Sequence, residues 1–248
     1  VIEKILPPWV AAVEAFRDPP DAALFPEEET VVAGAVDKRR REFTTARHCA
    51  RQALARLGLP PAPILPDEHG APRWPDGVMG AITHCAGYRA AAVSREAVTL
   101  GIDAEPHERL PEGVLQTIAL DEERAALERL GDRIHWDRLL FSAKESVYKA
   151  WFPLARRWLG FDEAHITLAP SGVFTARLLV PGPQVAGRRL TGFTGRWIVA
   201  DGLVSTAVTL PFEQRPADAP QDVLGQVRDV LGDLPPGGAP PRGQGWNR

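Results

Sequence analysis

Between residues 135 and 154 the sequence writes a helix that has to be covered twice. Trp136, Leu139, Leu140, Ala143, Val147, Ala150 and Leu154 recur at helical spacing and form one apolar stripe. Phe141, Tyr148 and Phe152 lie on the other side, beside Glu145 and Lys149, which are four residues apart. A face meant only for water does not need three aromatic rings. The second face is therefore expected to lie under another part of the protein or under a ligand, which puts a carboxylate and an ammonium under partial cover. Ionisable groups so placed are candidates for chemistry. The plainer alternative is a surface helix pair, which stabilises by only about 0.2–0.5 kcal/mol.

A strand over residues 97–105 supplies two more carboxylates. Val98, Leu100 and Ile102 alternate with Gly101, Asp103 and Glu105, so both acids share one face at the strand end. Side by side they repel unless water, arginine or a cation lies between them. The plain reading is a solvated strand end. Joined by Glu145, they become a cluster of three hard oxygen donors of the kind that suits Mg²⁺, or Mn²⁺ in its place. Zinc does not fit, because no histidine pair has ligand spacing and the two cysteines, Cys49 and Cys85, are isolated.

Cations for an anionic ligand are concentrated on a helix predicted over residues 37–58. Its stripe is Phe43, Ala46, Ala50, Leu54 and Leu57, and Gly58 followed by Pro60 stops it. Arg40, Arg47 and Arg51 flank the stripe on one side and Arg39 on the other. Arginine forks match phosphate oxygens; the alternative is a solvated basic helix side. A hairpin is predicted over 78–94, turning near Ala86-Gly87, with Thr83 and His84 at the end of its first strand. A histidine there serves either as a structural hydrogen-bonding group or as a ligand contact. Gly192-Phe193-Thr194-Gly195 is too short and misplaced for a nucleotide fingerprint.

Helix, strands, polar connector, helices and strands follow one another roughly twice over the 248 residues. The expected fold is α+β, with an N-terminal half at 1–105, a C-terminal half at 106–210, and a final 211–248 made of a linker, a short docked helix and a disordered tail. Residues 1–34 read as short helices and loops, 121–130 as a helix and 161–210 as strands. The net charge of -3 gives no basic field for nucleic acid. No run of 18 apolar residues and no signal-peptide pattern occurs, so the expectation is a soluble cytoplasmic protein with no membrane partner. Of the 29 basic residues only Lys4, Lys38, Lys144 and Lys149 are lysine, and two of these sit in the doubly covered helix.

Gly101-Ile102-Asp103-Ala104-Glu105, followed by Phe141-Ser142-Ala143-Lys144-Glu145-Ser146-Val147-Tyr148-Lys149-Ala150, resembles the paired signature of the 4'-phosphopantetheinyl transferases. The branch resembled is the surfactin-type and enterobactin-component-D-like monomeric one. Thr83-His84-Cys85-Ala86-Gly87-Tyr88 resembles its histidine motif, and Arg39 to Arg51 its N-terminal arginine helix. The resemblance implies a pseudo-dimer of two similar α+β halves with the active site in the cleft between them. It implies Mg²⁺ held by Asp103, Glu105 and Glu145, with Glu145 as candidate base and Lys149 as a catalytic cation. It implies coenzyme A as co-substrate, contacted by Lys149, His84, Thr83, Asp103, Arg39 and Arg47, and an acyl or peptidyl carrier protein as acceptor. One loop departs from the pattern: Pro66-Asp67-Glu68-His69 stands where relatives often carry a lysine, which leaves His69 as the candidate substitute, with Glu68 beside it as a further candidate coenzyme A contact. The competing readings are another Mg²⁺-dependent phosphoryl hydrolase, using the same carboxylates, and a non-catalytic adaptor that binds coenzyme A or a carrier.

Overall fold

The structure is a computed structural model that describes residues 1–212. The predicted docked helix at 221–234 and the tail beyond it lie outside the described residues. After a 3₁₀ turn at Ile2–Ile5, strand β1 (Ala11–Ala15) and helices α1 (Pro26–Val31) and α2 (Asp37–Arg56) come first. Strands β2 (Met79–Cys85), β3 (Tyr88–Ser94) and β4 (Ala97–Pro106) follow, then helices α3 (Val114–Ile118), α4 (Asp121–Leu127) and α5 (Trp136–Ala155). The described chain ends with β5 (Ala164–Ala169), β6 (Val173–Leu178), the short β7 (Gln184–Val185) and β8 (Arg188–Arg189), β9 (Gly192–Ala200) and β10 (Leu203–Pro211).

Two antiparallel sheets carry the molecule, in the orders β1-β3-β2 and β4-β10-β9-β6-β5. Each has one 20-residue helix on it, α2 on the first and α5 on the second, which gives the two α+β halves. Strand β3 is buried throughout because it has a covered face on each side. Its Ala91 and Val93 meet Ala50, Ala53 and Leu54 of α2, while Ala90 and Ala92 join Ile2, Leu100 and Ile102 in a layer between the halves. The third core packs Leu139, Leu140, Ala143 and Val147 of α5 on Phe174, Val204 and Val208 of the larger sheet. No helix of the described residues is long and apolar enough to cross a membrane.

Strand β4 ends close to the expected 105/106 boundary. Strand β4 hydrogen-bonds along its length to β10, pairing Asp103 with Thr206 and Gly101 with Val208, so it belongs to the larger sheet. Its link to the smaller one runs through a side chain: Thr83 Oγ1 accepts from the Ala104 N–H at 3.0 Å and donates to Asp103 Oδ1 at 3.2 Å. Residues 11–15, expected in loops and short helices, form β1 instead. Alanine-rich Ala11-Ala12-Val13-Glu14-Ala15 has little strand character of its own and is held by its ladder to β3.

Gly101 sets the distance between β4 and α5. A Cβ placed there would stand 2.0 Å from the Ser146 carbonyl oxygen and 2.7 Å from the Ala150 nitrogen, both of them backbone atoms. The absent side chain lets the helix lie directly on the strand. Thr99 Oγ1 donates to the Ala150 carbonyl at 2.5 Å, and Thr206 Oγ1 to that of Ser142 at 2.9 Å, which fixes the register. Thr206 lies opposite Asp103 in the ladder, so the contact that aligns the helix also aligns the candidate site.

Candidate active site

A cleft of about 1130 Å³ opens between the halves. Arg39, Phe43 and Arg47 of α2, the 66–74 loop and Met79 to Ile82 with His84 of β2 line it from the first half; Tyr148, Lys149, Phe152 and Arg156 line it from the second. Small-molecule sites usually enclose about 300–1,000 Å³, so this one has room for a large, extended ligand.

Asp103 is buried at the inner end of the site, only 4% exposed. Its Oδ1 accepts from Lys149 Nζ at 2.7 Å and from Thr83, while Oδ2 is buried with no hydrogen-bond partner among the described residues. Burial alone depresses the pKa of the Lys149 ammonium. Asp103, Glu145 and Glu105 outweigh that, and the net shift is upward, so the lysine is held charged. Glu145 is half-buried, and burial pushes its carboxyl pKa up; Lys149 opposes the rise and Asp103 adds to it. Glu105 is pushed up to about 7, by burial first and by Asp103 second, against the pull of Arg138 and Lys149.

The three expected metal ligands are thus electrostatic neighbours, but they do not close into a cage. Among the described residues no three His, Cys, Asp or Glu side chains converge closely enough to hold a metal ion. Cations stand against two of the expected ligands instead: Lys149 sits on Asp103, and Arg138 Nη1 sits on Glu105 Oε2 at 3.0 Å. The donor chemistry nevertheless fits a hard divalent ion. Mg²⁺ needs only one or two protein carboxylates and completes its shell with water and phosphate, and the orphaned Asp103 Oδ2 is an unused anionic donor.

Along α2 the arginines separate into two groups. Arg51 is taken by the fully buried Glu28 at 2.8 Å, Arg40 is paired with Glu29, and Arg41 lies 3.8 Å from Asp18. The acidic 27–29 segment therefore neutralises much of the helix, leaving Arg39 and Arg47 as its guanidinium groups on the cleft. Arg47 is buried with its carbon Cζ 4.2 Å from the centre of the Phe43 ring, and its Nε donates to the Ile64 carbonyl at 2.7 Å. Burial brings its pKa down to about 10, which keeps it charged at neutral pH. Arg39 Nη1 donates to His84 Nε2 at 3.2 Å. Burial, then Lys149 and Arg39, lower the His84 pKa against the pull of Glu42, so the ring is neutral and can accept. Glu68 and His69 line the cleft mouth on an exposed loop, with His69 edge-on to Phe152 at 5.4 Å.

The sequence reading does not single out Arg73, which lines the cleft, nor Arg138 and Arg156. Arg138, which holds Glu105, stands seven residues before Glu145 on the same helix side, and that spacing was a usable signal. Arg156 reaches Asp67 of the loop at 3.4 Å across 89 residues of chain, for which no local signal exists. Lys144, by contrast, faces away from the cleft. Its Nζ is buried against Glu123 at 2.9 Å and the carbonyls of Phe161 and Ala164, so it ties α5 to α4 and β5.

A cleft lined by Arg39, Arg47 and the charged Lys149, with buried Asp103 hydrogen-bonded to that lysine, offers cationic groups to an anionic ligand. The comparisons say which class of protein uses it. Residues 27–94 match the family model of the 4'-phosphopantetheinyl transferase N-terminal domain, and 99–200 that of the 4'-phosphopantetheinyl transferase superfamily. The chain belongs to that superfamily and is a transferase. It is 57% identical over 219 residues to the 4'-phosphopantetheinyl transferase Svp of Streptomyces mobaraensis, covering 85% of this chain and 89% of that protein. It is 51% identical over 222 residues to the 4'-phosphopantetheinyl transferase PptT of Mycobacterium tuberculosis, covering 85% and 98%. Enterobactin synthase component D of Salmonella typhi is 36% identical over 131 residues, covering 52% of this chain and 55% of that protein.

Proposed function

We propose that this transferase moves the 4'-phosphopantetheine group of coenzyme A onto a serine of an acyl or peptidyl carrier protein, with Mg²⁺ or Mn²⁺ required. The observation that carries the reading is Asp103, whose one carboxylate oxygen is held by Lys149, a residue of the cleft that Arg39 and Arg47 also line, while the other is buried and unpaired. In the transfer the serine oxygen bonds to the β-phosphorus of coenzyme A, the bond from that phosphorus to its bridging oxygen breaks, and 3',5'-ADP leaves. Asp103, with Glu105 and Glu145, would hold Mg²⁺, which would supply neutralising charge to the phosphate oxygens.

The remaining tasks fall to the side chains. Glu145 takes the serine proton, and its raised pKa makes it a better base near neutral pH than an ordinary carboxylate. Lys149, kept cationic by its acidic neighbours, offsets charge on the 5'-phosphate of the departing 3',5'-ADP. Arg39 and Arg47, with neutral His84 between strand and helix, orient the nucleotide phosphates. Glu68 and His69 meet the nucleotide end at the cleft mouth. The enzyme is taken to act as a cytoplasmic monomer on small acidic carrier domains.

Incubation with coenzyme A, Mg²⁺ and an apo carrier, followed by mass measurement of the carrier, tests the proposal. The expected result is a carrier heavier by one phosphopantetheine, with a stoichiometric yield of 3',5'-ADP. Cleavage of coenzyme A without a carrier points to a hydrolase. Binding of coenzyme A with an unmodified carrier points to an adaptor.

A further inference from the structure

Arg138 is held more completely than any surface arginine needs to be. Its Nη1 donates to Glu105 Oε2 at 3.0 Å, its Nη2 to the Arg109 carbonyl at 2.9 Å and its Nε to the Glu108 carbonyl at 3.1 Å. All three guanidinium nitrogens are thus used on one short segment that begins at the end of β4. The side chains of Arg138 and Glu105 are only 14% and 19% exposed, so the pair is largely shielded from water. The neighbouring residues of α5 grip the same segment: Asp137 Oδ2 accepts the Leu110 N–H at 2.8 Å, and the His135 N–H donates to His107 Nε2 at 3.1 Å. The first turn of α5 therefore clamps residues 105–110 from several sides, with a planar fork at the centre.

The clamp makes the two strand carboxylates alike. Asp103 has one oxygen on Lys149 and the other without a partner; Glu105 has Oε2 on Arg138, and its Oε1 takes no hydrogen bond from the described residues. Arg138, Glu145 and Lys149 are seven and then four residues apart and lie along one side of α5. A flexible glutamate has three side-chain torsions to lose. A fork that fixes one of its oxygens removes that freedom and leaves the second oxygen set in direction.

We infer that Arg138 is a positioning residue for divalent-cation binding: it holds the Glu105 carboxylate in the orientation that presents its free oxygen to the cation shared with Asp103. The inference rests on the cation-dependent reading above. It is distinct from a counter-charge role, and the two predict opposite signs. Removing a positive charge beside two carboxylates strengthens attraction for a divalent cation by simple electrostatics. Removing a group that orients a ligand weakens metal binding, by about 10–100-fold for partners of this kind.

The test is Mn²⁺ binding in the presence of coenzyme A, followed by electron paramagnetic resonance, on the intact protein, Arg138→Lys and Arg138→Met. Arg138→Lys keeps the charge and loses the fork, so it separates the two roles even where Arg138→Met folds poorly. The expected result is Mn²⁺ affinity lowered at least tenfold in Arg138→Lys, the lower bound for an orienting partner, with coenzyme A affinity in the absence of metal unchanged. Unchanged or tighter Mn²⁺ binding in folded Arg138→Lys overturns the positioning role. Failure of the unsubstituted protein to bind Mn²⁺ with coenzyme A present overturns both this inference and the cation-dependent reading, whereas normal binding there with unchanged variants overturns this inference alone.

Discussion

Lys149 Nζ donates to Asp103 Oδ1 across 2.7 Å, while Asp103 Oδ2 is buried beside it without a hydrogen-bond partner among the described residues. An unpaired buried carboxylate oxygen is a costly arrangement, and one that a bound cation relieves. The pair joins α5 of one sheet layer to the end of β4, and it exists because Gly101 lets the helix backbone rest on the strand.

Gly101→Ala is expected to destabilise the protein and to impair transfer together. The new methyl group would meet the Ser146 carbonyl and the Ala150 nitrogen, neither of which can swing aside as a side-chain tip can. A loss of about 1–3 kcal/mol, the usual scale of overpacking, is expected in urea unfolding. Wild-type stability with wild-type activity would show that the helix–strand spacing is not set there.

The two lysines of α5 should behave in opposite ways. Glu123→Gln breaks the buried pair with Lys144, whose side chains are 0% and 3% exposed, and is expected to cost about 3–5 kcal/mol of stability. Turnover per folded molecule should stay near wild type. Lys149→Ala should leave stability less affected and slow single-turnover transfer. Chemical denaturation and transfer assays on both proteins check this, and slow transfer by a fully folded Glu123→Gln protein would contradict the assignment.

Which lysine does which job shows where the sequence stopped being readable. Both are retained in an arginine-rich chain and both lie on the same helix, so rarity marked them equally. Periodicity separated Lys149, on the side of Tyr148 and Phe152, and a strand pattern supplied Asp103 and Glu105; these are local signals with periods of 3.6 and 2. Contacts distant in sequence were not legible. Nothing near Arg51 or Arg40 announces that Glu28 and Glu29 will claim them and leave Arg39 and Arg47 for the cleft. Strand β1 is alanine-rich and takes its form from β3, and the sheet that β4 joins is set by β10, about a hundred residues on and beyond any local pattern. Arg138 escaped notice for a related reason, since two of its three acceptors are backbone carbonyls.

Stability should depend on pH in a way that a divalent cation reverses. Glu105 is pushed up to about 7, and Glu145 is raised as well, whereas a glutamate in the unfolded chain ionises near about 4.3. The folded protein then holds more protons than the unfolded one between these values. The stabilising contribution is complete below the unfolded value and is lost as pH rises through the folded one. A cation neutralises the carboxylates and favours their ionised forms. Mg²⁺ with coenzyme A should therefore raise the melting temperature more at about pH 8 than at about pH 5, and an equal rise at both would contradict the assignment of these carboxylates.

Arg47→Ala should weaken coenzyme A binding more than it slows the bound-state reaction, because Arg47 lines the cleft from α2 and makes no hydrogen bond to Asp103 or Lys149. Loss of a charge-assisted hydrogen bond costs about 1.5–3 kcal/mol, or roughly 10- to 150-fold in affinity. Some loss of stability should accompany it, since Arg47 also bonds the Ile64 carbonyl. An unchanged KM for coenzyme A would refute the role.

Glu145→Gln keeps the size and shape of the side chain while removing its charge and its capacity to accept a proton. Single-turnover transfer of phosphopantetheine to an apo carrier, with circular dichroism to confirm folding, therefore tests the chemistry assigned to this cleft most directly. The account predicts a folded protein whose transfer is slowed by at least about 10²-fold, the scale of a positioned general base. A folded Glu145→Gln protein that transfers at the wild-type rate would contradict it.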